Sequence, residues 1–238
     1  MSRTRTIAGY GAAALSLAYA GWVAATWARY GRSGGRAARR ERGALIDRFL
    51  PDPEVAERHE TRVRAPAEVT FAAAREMDLD RSGFVRAIFA VRTVPSRLRG
   101  ELVKQPARRS FLEQTRELGW GVLAEEPERA IVLGAVTKPW EGVVHFRALP
   151  PAEFAAFREP GWAKIAWTLE AEPVSEGESI FRTRTRVATT DPRSRARFRR
   201  YWAAMSPGIL LIRRVSLRLV RREAERRWRA RWGERLPA

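Results

Sequence analysis

The chain contains no cysteine and only two histidines, His59 and His145, among its 238 residues. Without cysteine it can form no disulfide, no thiolate nucleophile and no cysteine-ligated zinc site. The glycine-rich phosphate-binding motifs, the nucleophile elbow and the metalloprotease motif are missing as well, which disfavours the commonest cofactor-dependent and hydrolytic enzymes. We therefore expect neither a metal ion nor a cofactor.

Positive charge is concentrated at the two ends of the chain. Residues 1–44 carry a net charge of +7 and residues 191–238 carry +11, whereas residues 45–190 are neutral overall. A neutral domain between two basic segments is typical of docking on an acidic surface, and less so of an evenly basic nucleic-acid-binding domain. With 45% hydrophobic residues, the chain is not wholly disordered and suits one globular domain with extensions.

Residues 6–28 form an uncharged run of 23 residues. As a helix this run would span about 34 Å, enough to cross a bilayer. Six arginines follow it and two precede it, so the positive-inside rule predicts one transmembrane helix at the inner membrane with the domain in the cytoplasm. The alternatives are export after signal-peptide cleavage near Ala20 and a buried helix of a soluble protein. The predicted organisation is a membrane anchor over 1–30, a basic linker over 31–54, a domain over 55–226 and a basic tail over 227–238.

Period-two alternation in the central part predicts an antiparallel sheet with one wet face. In the first predicted strand, over residues 57–64, arginine and glutamate alternate with His59, Thr61 and Val63. A long helix with an apolar stripe ends the domain, and Pro207 should kink or split it. The other predicted elements are helices over 66–77 and 82–92, and strands over 120–125, 130–137, 143–149, 162–171 and 181–187.

Four segments, residues 63–69, 123–129, 161–167 and 183–187, carry a resemblance to a known superfamily. In element order and loose pattern the chain resembles the START-like, Bet v 1-type (SRPBCC) superfamily of polyketide cyclases and lipid-transfer domains, over about residues 55–226. The resemblance implies an α+β helix-grip fold, in which a curved antiparallel sheet wraps around a long carboxyl-terminal helix. It also implies an apolar cavity between them for lipids, sterols or polyketides, but it includes no catalytic signature.

On such a fold, side chains from the apolar faces of the strands and the last helix are expected to line the cavity. His59 is the one weak candidate for catalysis, because a neutral imidazole accepts a proton near neutral pH; a structural role is the alternative. The predicted cavity residues are His59, Thr61, Trp120, His145, Ile165, Trp167, Phe181, Thr183, Trp202 and Met205. The arginines expected to face an anionic membrane surface are Arg218, Arg221, Arg222, Arg226 and Arg227.

The leading interpretation is a membrane-tethered binding domain for an apolar or amphipathic small molecule, such as a lipid or a polyketide. The first alternative is an enzyme of the cyclase or dehydratase type that uses the same cavity. The second is a basic nucleic-acid-binding protein, in which the helix from Arg213 to Arg231 contacts phosphates. Nucleic acid is the less favoured partner, because tryptophan beside arginine equally describes an interfacial helix.

Overall fold

The computed structural model describes residues 2–30, 44–77 and 111–233. The predicted helix over 82–92, residues 31–43 of the predicted linker and residues 234–238 of the predicted tail lie outside the described residues. The helices are α1 Ser2–Arg29, a 3-10 helix Leu45–Arg48, α2 Ala67–Arg75, α3 Phe111–Glu117, α4 Pro151–Ala156 and α5 Pro192–Gly233. The strands are β1 Val55–Val63, β2 Gly121–Glu126, β3 Ala130–Thr137, β4 Phe146–Arg147, β5 Ala163–Ser175 and β6 Glu178–Thr189.

The strands form one antiparallel sheet in the order β1-β6-β5-β3-β2, with the short β4 paired to β3. The sheet is curved, and with the long helix α5 it makes the α+β fold that the sequence predicted. Period-two alternation separates two faces of each strand, because successive side chains of a strand point to opposite sides. In β6 the face toward α5 presents Phe181, Thr183, Thr185 and Val187.

The opposite, outer face of the sheet carries ion pairs and a covering segment. Arg182 of β6 binds Glu172 of β5 at 2.7 Å. Residues 44–54, which the sequence assigned to a linker, pack on this face, and Ile46 and Leu50 are buried there. Arg186, only 1% exposed, pairs with Asp47 of that segment. The described part of this segment is therefore joined to the sheet by both apolar and charged contacts.

Asp191 caps the amino-terminal end of helix α5, and its carboxylate accepts hydrogen bonds from the backbone N–H groups of Arg193 and Ser194 at 2.8 and 2.9 Å. The helix then crosses the inner face of the sheet, against which it buries Phe198 and Val220 among others. It runs through Pro207 without a break, so the predicted split does not occur. Packing against the sheet on both sides of Pro207 holds the helix together despite the missing backbone donor.

Helix α1 packs against α5. The Tyr19 hydroxyl donates to the Ala204 carbonyl at 2.9 Å, and Trp22 Nε1 donates to the Ser206 hydroxyl at 3.1 Å. The predicted transmembrane anchor, and with it the single-pass location at the inner membrane, is wrong: among the described residues no helix is both long and apolar enough to cross a membrane. The uncharged run consists largely of alanine and glycine and has few large aliphatic side chains.

Candidate functional site

A cavity of about 300 Å³ lies between the inner face of the sheet and helix α5. Its volume is at the lower end of the range found for small-molecule sites. Most of its wall is aromatic or aliphatic, and the lining side chains come mainly from β4, β5, β6 and α5, together with Trp120 just before β2. They include Trp120, Trp167, Phe181, Phe198, Trp202 and Ile212.

Six of the ten side chains predicted for the cavity line it, namely Trp120, Ile165, Trp167, Phe181, Thr183 and Trp202. The other four, His59, Thr61, His145 and Met205, are described but are not among the lining residues. Met205 is 44% exposed, and the α5 side chains on either side of it that line the cavity are Trp202 and Ile209. His145 is exposed on the segment before β4, where its backbone carbonyl accepts the Thr137 hydroxyl at 2.7 Å.

His59 and Thr61 lie on β1, the edge strand of the sheet. They pair across the ladder with Thr183 and Phe181, which do line the cavity. Their side chains are therefore on the same face of the sheet as the cavity, one strand farther from its centre.

Arg213 is the basic side chain that reaches the cavity. It lies one helical turn after Ile209 and one turn before Leu217, so it belongs to the helix face that packs on the sheet. Its Nη1 donates to the Thr183 hydroxyl at 3.1 Å. Burial lowers the pKa of Arg213 to about 10, so it stays charged at neutral pH. The nucleic-acid interpretation counted Arg213 among the phosphate-contacting arginines, whereas its spacing from Ile209 and Leu217 indicates the inner face of the helix.

Glu57 and His59 of β1 lie close to Arg213. The His59 Nε2 and Glu57 Oε2 atoms are 3.7 Å apart. Burial lowers the pKa of His59, and the charges of Arg213 and Arg214 lower it further, so the imidazole is neutral at neutral pH. Burial raises the pKa of Glu57, and the charge of Arg213 opposes that rise.

Two buried polar atoms near Arg213 lack a partner. Within residues 44–77 and 111–233, neither the Thr185 hydroxyl nor His59 Nε2 has a hydrogen-bond partner. Thr185 lines the cavity and pairs across the ladder with Glu57. We call Arg213, Thr183, Thr185, Glu57 and His59 the polar end of the cavity. Arg213, Thr183 and Thr185 line the cavity there, and the Glu57 carboxyl group and the neutral His59 imidazole lie beside them on β1. Sequence reasoning missed Arg213, Thr185 and Glu57 as members.

The arginines predicted to face a membrane are on the outer side of α5, and three of them are paired. Arg221 binds Glu225 at 3.0 Å. Arg226 and Arg227 bind Glu223 at 2.7 and 2.8 Å, and Arg227 also reaches Glu76 of α2 at 2.7 Å. Arg218 and Arg222 are exposed. Ion pairs thus offset part of the positive charge, and the surface role of these five residues stays a prediction.

No family model matches the chain, and neither does any curated protein. Solved structures are similar to it. A conserved protein from Geobacillus kaustophilus is 11% identical, covers 72% of this chain and 96% of its own, and has a TM-score of 0.33. A norcoclaurine synthase point mutant from Thalictrum flavum, in complex with a transition-state analogue, is 9% identical, covers 70% and 93%, and has a TM-score of 0.30. The Zhui aromatase/cyclase from a Streptomyces species is 14% identical, covers 73% and 94%, and has a TM-score of 0.28.

At identities of 9 to 14% and TM-scores of 0.28 to 0.33, these similarities are too low for a family or an activity to be carried to this chain. The case for function therefore depends on the cavity itself.

Proposed function

We propose that this START-like domain binds an apolar or amphipathic small molecule in the cavity between its sheet and helix α5. The observation that carries the proposal is the wall of the cavity, where aromatic side chains from β5, β6 and α5 converge around about 300 Å³. Sites for small organic ligands have this composition: a mostly apolar wall with a few polar groups at one place.

The size of the cavity is a second argument, because protein interiors are close-packed and contain few voids larger than a water molecule. A wall of aromatic and aliphatic side chains with no atoms packed against it forgoes the contacts that a filled interior provides. A ligand that fills the space would restore these contacts, and the small side chain of Ser216 leaves room for it on this wall.

The test uses Nile red, a neutral dye whose fluorescence rises in apolar surroundings, with the full chain. Ser216→Phe places a large ring in the cavity and should abolish most of the fluorescence increase. Leu211→Phe, on the same helix at a position 44% exposed, is the matched control and should bind the dye like the wild type. Equal binding by wild type and Ser216→Phe, with both folded, would show that the dye binds elsewhere and would contradict the proposal.

The arrangement of Glu57 and His59 favours a second candidate, acid–base catalysis of the cyclase or dehydratase type. His59 is neutral, its Nε2 lies 3.7 Å from a carboxylate oxygen, and its strand borders the cavity. Such an imidazole accepts a proton from a bound substrate when it lies within hydrogen-bond reach. Turnover of a poly-ketone thioester by wild type and by the His145→Gln control, but not by His59→Gln, supports this candidate; turnover by all three, or by none, contradicts it.

A further inference from the structure

We propose that the ligand carries a carboxylate head group, which Arg213 and Thr185 bind at the polar end of the cavity while its alkyl or aromatic body lies against Trp167 and Phe181. This inference rests on the proposed function and names the class of molecule that the cavity takes: an amphiphilic monocarboxylic acid, as opposed to a neutral hydrocarbon, alcohol or sterol.

The first support is the unbalanced charge of Arg213. A guanidinium has five N–H donors, and the described structure shows one of them used, toward the Thr183 hydroxyl. Arg213 forms no ion pair with any described carboxylate; Glu57, the acidic residue whose charge it feels, is not within ion-pair distance. A half-buried cation without a directly paired anion has lost part of its hydration and gained no ion pair in return, so a ligand that supplies the anion is favoured.

The second support is the Thr185 hydroxyl, which is buried and lacks a partner within the described part of the chain. It lies on the same strand face as Thr183, two residues from the hydroxyl that Arg213 contacts, and both threonines line the cavity. A carboxylate has two oxygens and accepts several hydrogen bonds, and it can therefore take one from the arginine and one from the hydroxyl. A neutral alcohol satisfies the hydroxyl but leaves the charge of Arg213 unbalanced.

The third support is the contrast between this end of the cavity and the rest of its wall. Apart from Arg213, the α5 residues that line the cavity are aliphatic, aromatic or serine. One positive charge at one end of an otherwise apolar space fixes the orientation of an amphiphile, with the acidic head at Arg213 and the tail toward Trp120 and Phe146.

The experiment compares dodecanoate with dodecan-1-ol, which share a chain length and differ in head group, as competitors of Nile red at neutral pH. Wild type should bind dodecanoate more tightly than the alcohol. Arg213→Gln should lower the affinity for dodecanoate by about tenfold or more, which is the effect of removing a charge-assisted hydrogen bond. It should leave the affinity for dodecan-1-ol nearly unchanged. Arg214→Gln makes the same charge change at the exposed neighbouring position and should alter neither affinity.

A second variant keeps the test decisive if Arg213→Gln fails to fold. Thr185→Val replaces the hydroxyl by a methyl group of similar size. It should lower the affinity for dodecanoate several-fold without lowering the affinity for dodecan-1-ol. Equal affinity of wild type for the two competitors, or unchanged dodecanoate binding in a folded Arg213→Gln or Thr185→Val, would overturn the carboxylate inference. Those outcomes leave the cavity as a neutral-ligand site, whereas failure of wild type to bind Nile red and both competitors would overturn the proposed function as well.

Discussion

The ion pair between Asp47 and Arg186 makes a specific prediction about what holds residues 44–54 on the sheet. Arg186 is 1% exposed, and its Nη1 donates to Asp47 and, at 2.9 Å, to the Leu50 carbonyl. Its Nε and Nη2 atoms have no hydrogen-bond partner among the described residues. The charge of Arg186 is thus buried with one carboxylate to balance it. Replacing Asp47 and replacing Arg186 should therefore change the free energy of unfolding by very different amounts.

Asp47→Asn keeps the shape of the side chain but removes the balancing charge. Breaking a buried ion pair from one side costs about 3 to 5 kcal/mol. Because the Asp47 side chain is 24% exposed, water offsets part of that loss, and we expect the free energy of unfolding to fall by about 2 kcal/mol. Arg186→Met removes the buried charge together with its unpaired donors and should stay within about 1 kcal/mol of wild type.

Urea unfolding followed by tryptophan fluorescence measures both variants and the double variant. The double variant should be as stable as Arg186→Met alone, because once Arg186 is replaced, Asp47→Asn leaves no buried charge without its partner. The control is Glu178→Gln, which breaks an exposed pair with Arg62 and should cost less than about 1 kcal/mol. If Asp47→Asn unfolds at the wild-type urea concentration, or if the two single effects add in the double variant, the reasoning is refuted.

Two further predictions concern the core of the domain. Burial lowers the pKa of Lys164 to about 8, so as the pH rises the folded chain releases this proton before the unfolded chain does. The free energy of unfolding should therefore rise from about pH 8 toward pH 10. Urea midpoints measured across this range should show the rise in wild type and a flatter dependence in Lys164→Met. A parallel rise in both proteins would contradict it. A Cβ at Gly134 would lie 2.4 Å from Leu123 Cδ1, so Gly134→Ala should lower the free energy of unfolding by about 1 to 3 kcal/mol. The control is Gly177→Ala, which should not lower it, because a Cβ there meets nothing within 4 Å. Equal urea midpoints for the two variants would contradict the packing argument.

Much of the sheet could be predicted from the sequence because its two faces differ in polarity. Residues 130–137 were predicted as a strand and form β3 with those bounds. β6 extends beyond both of its predicted ends, and β5 extends beyond its predicted carboxyl end. Of the predicted strand over 143–149 only Phe146 and Arg147 form a strand. The short helices α3 and α4 were not predicted, since six or seven residues provide too little helical periodicity to recognise.

The candidate site was predictable where it is apolar and less so where it is polar. Trp167 and Phe181 lie at alternating positions of clear strands, so their face followed from the pattern. Arg213 did not, because a charged side chain is normally assigned to solvent and only its spacing from Ile209 and Leu217 indicates the inner face. Whether the Thr185 hydroxyl has a hydrogen-bond partner depends on how β1, β6 and α5 pack against one another, and no local sequence pattern indicates that packing.

The most direct test of the ligand-binding cavity is an NMR titration of the indole N–H signals of the nine tryptophans with dodecan-1-ol. Trp120, Trp167 and Trp202 line the cavity, so their signals should shift together and saturate at one ligand per chain. Trp27 lies on α1 and is 39% exposed, and its signal should not move. Saturating shifts confined to the cavity tryptophans would agree with the proposed function, whereas shifts at Trp27 alone, or none that saturate, would contradict it.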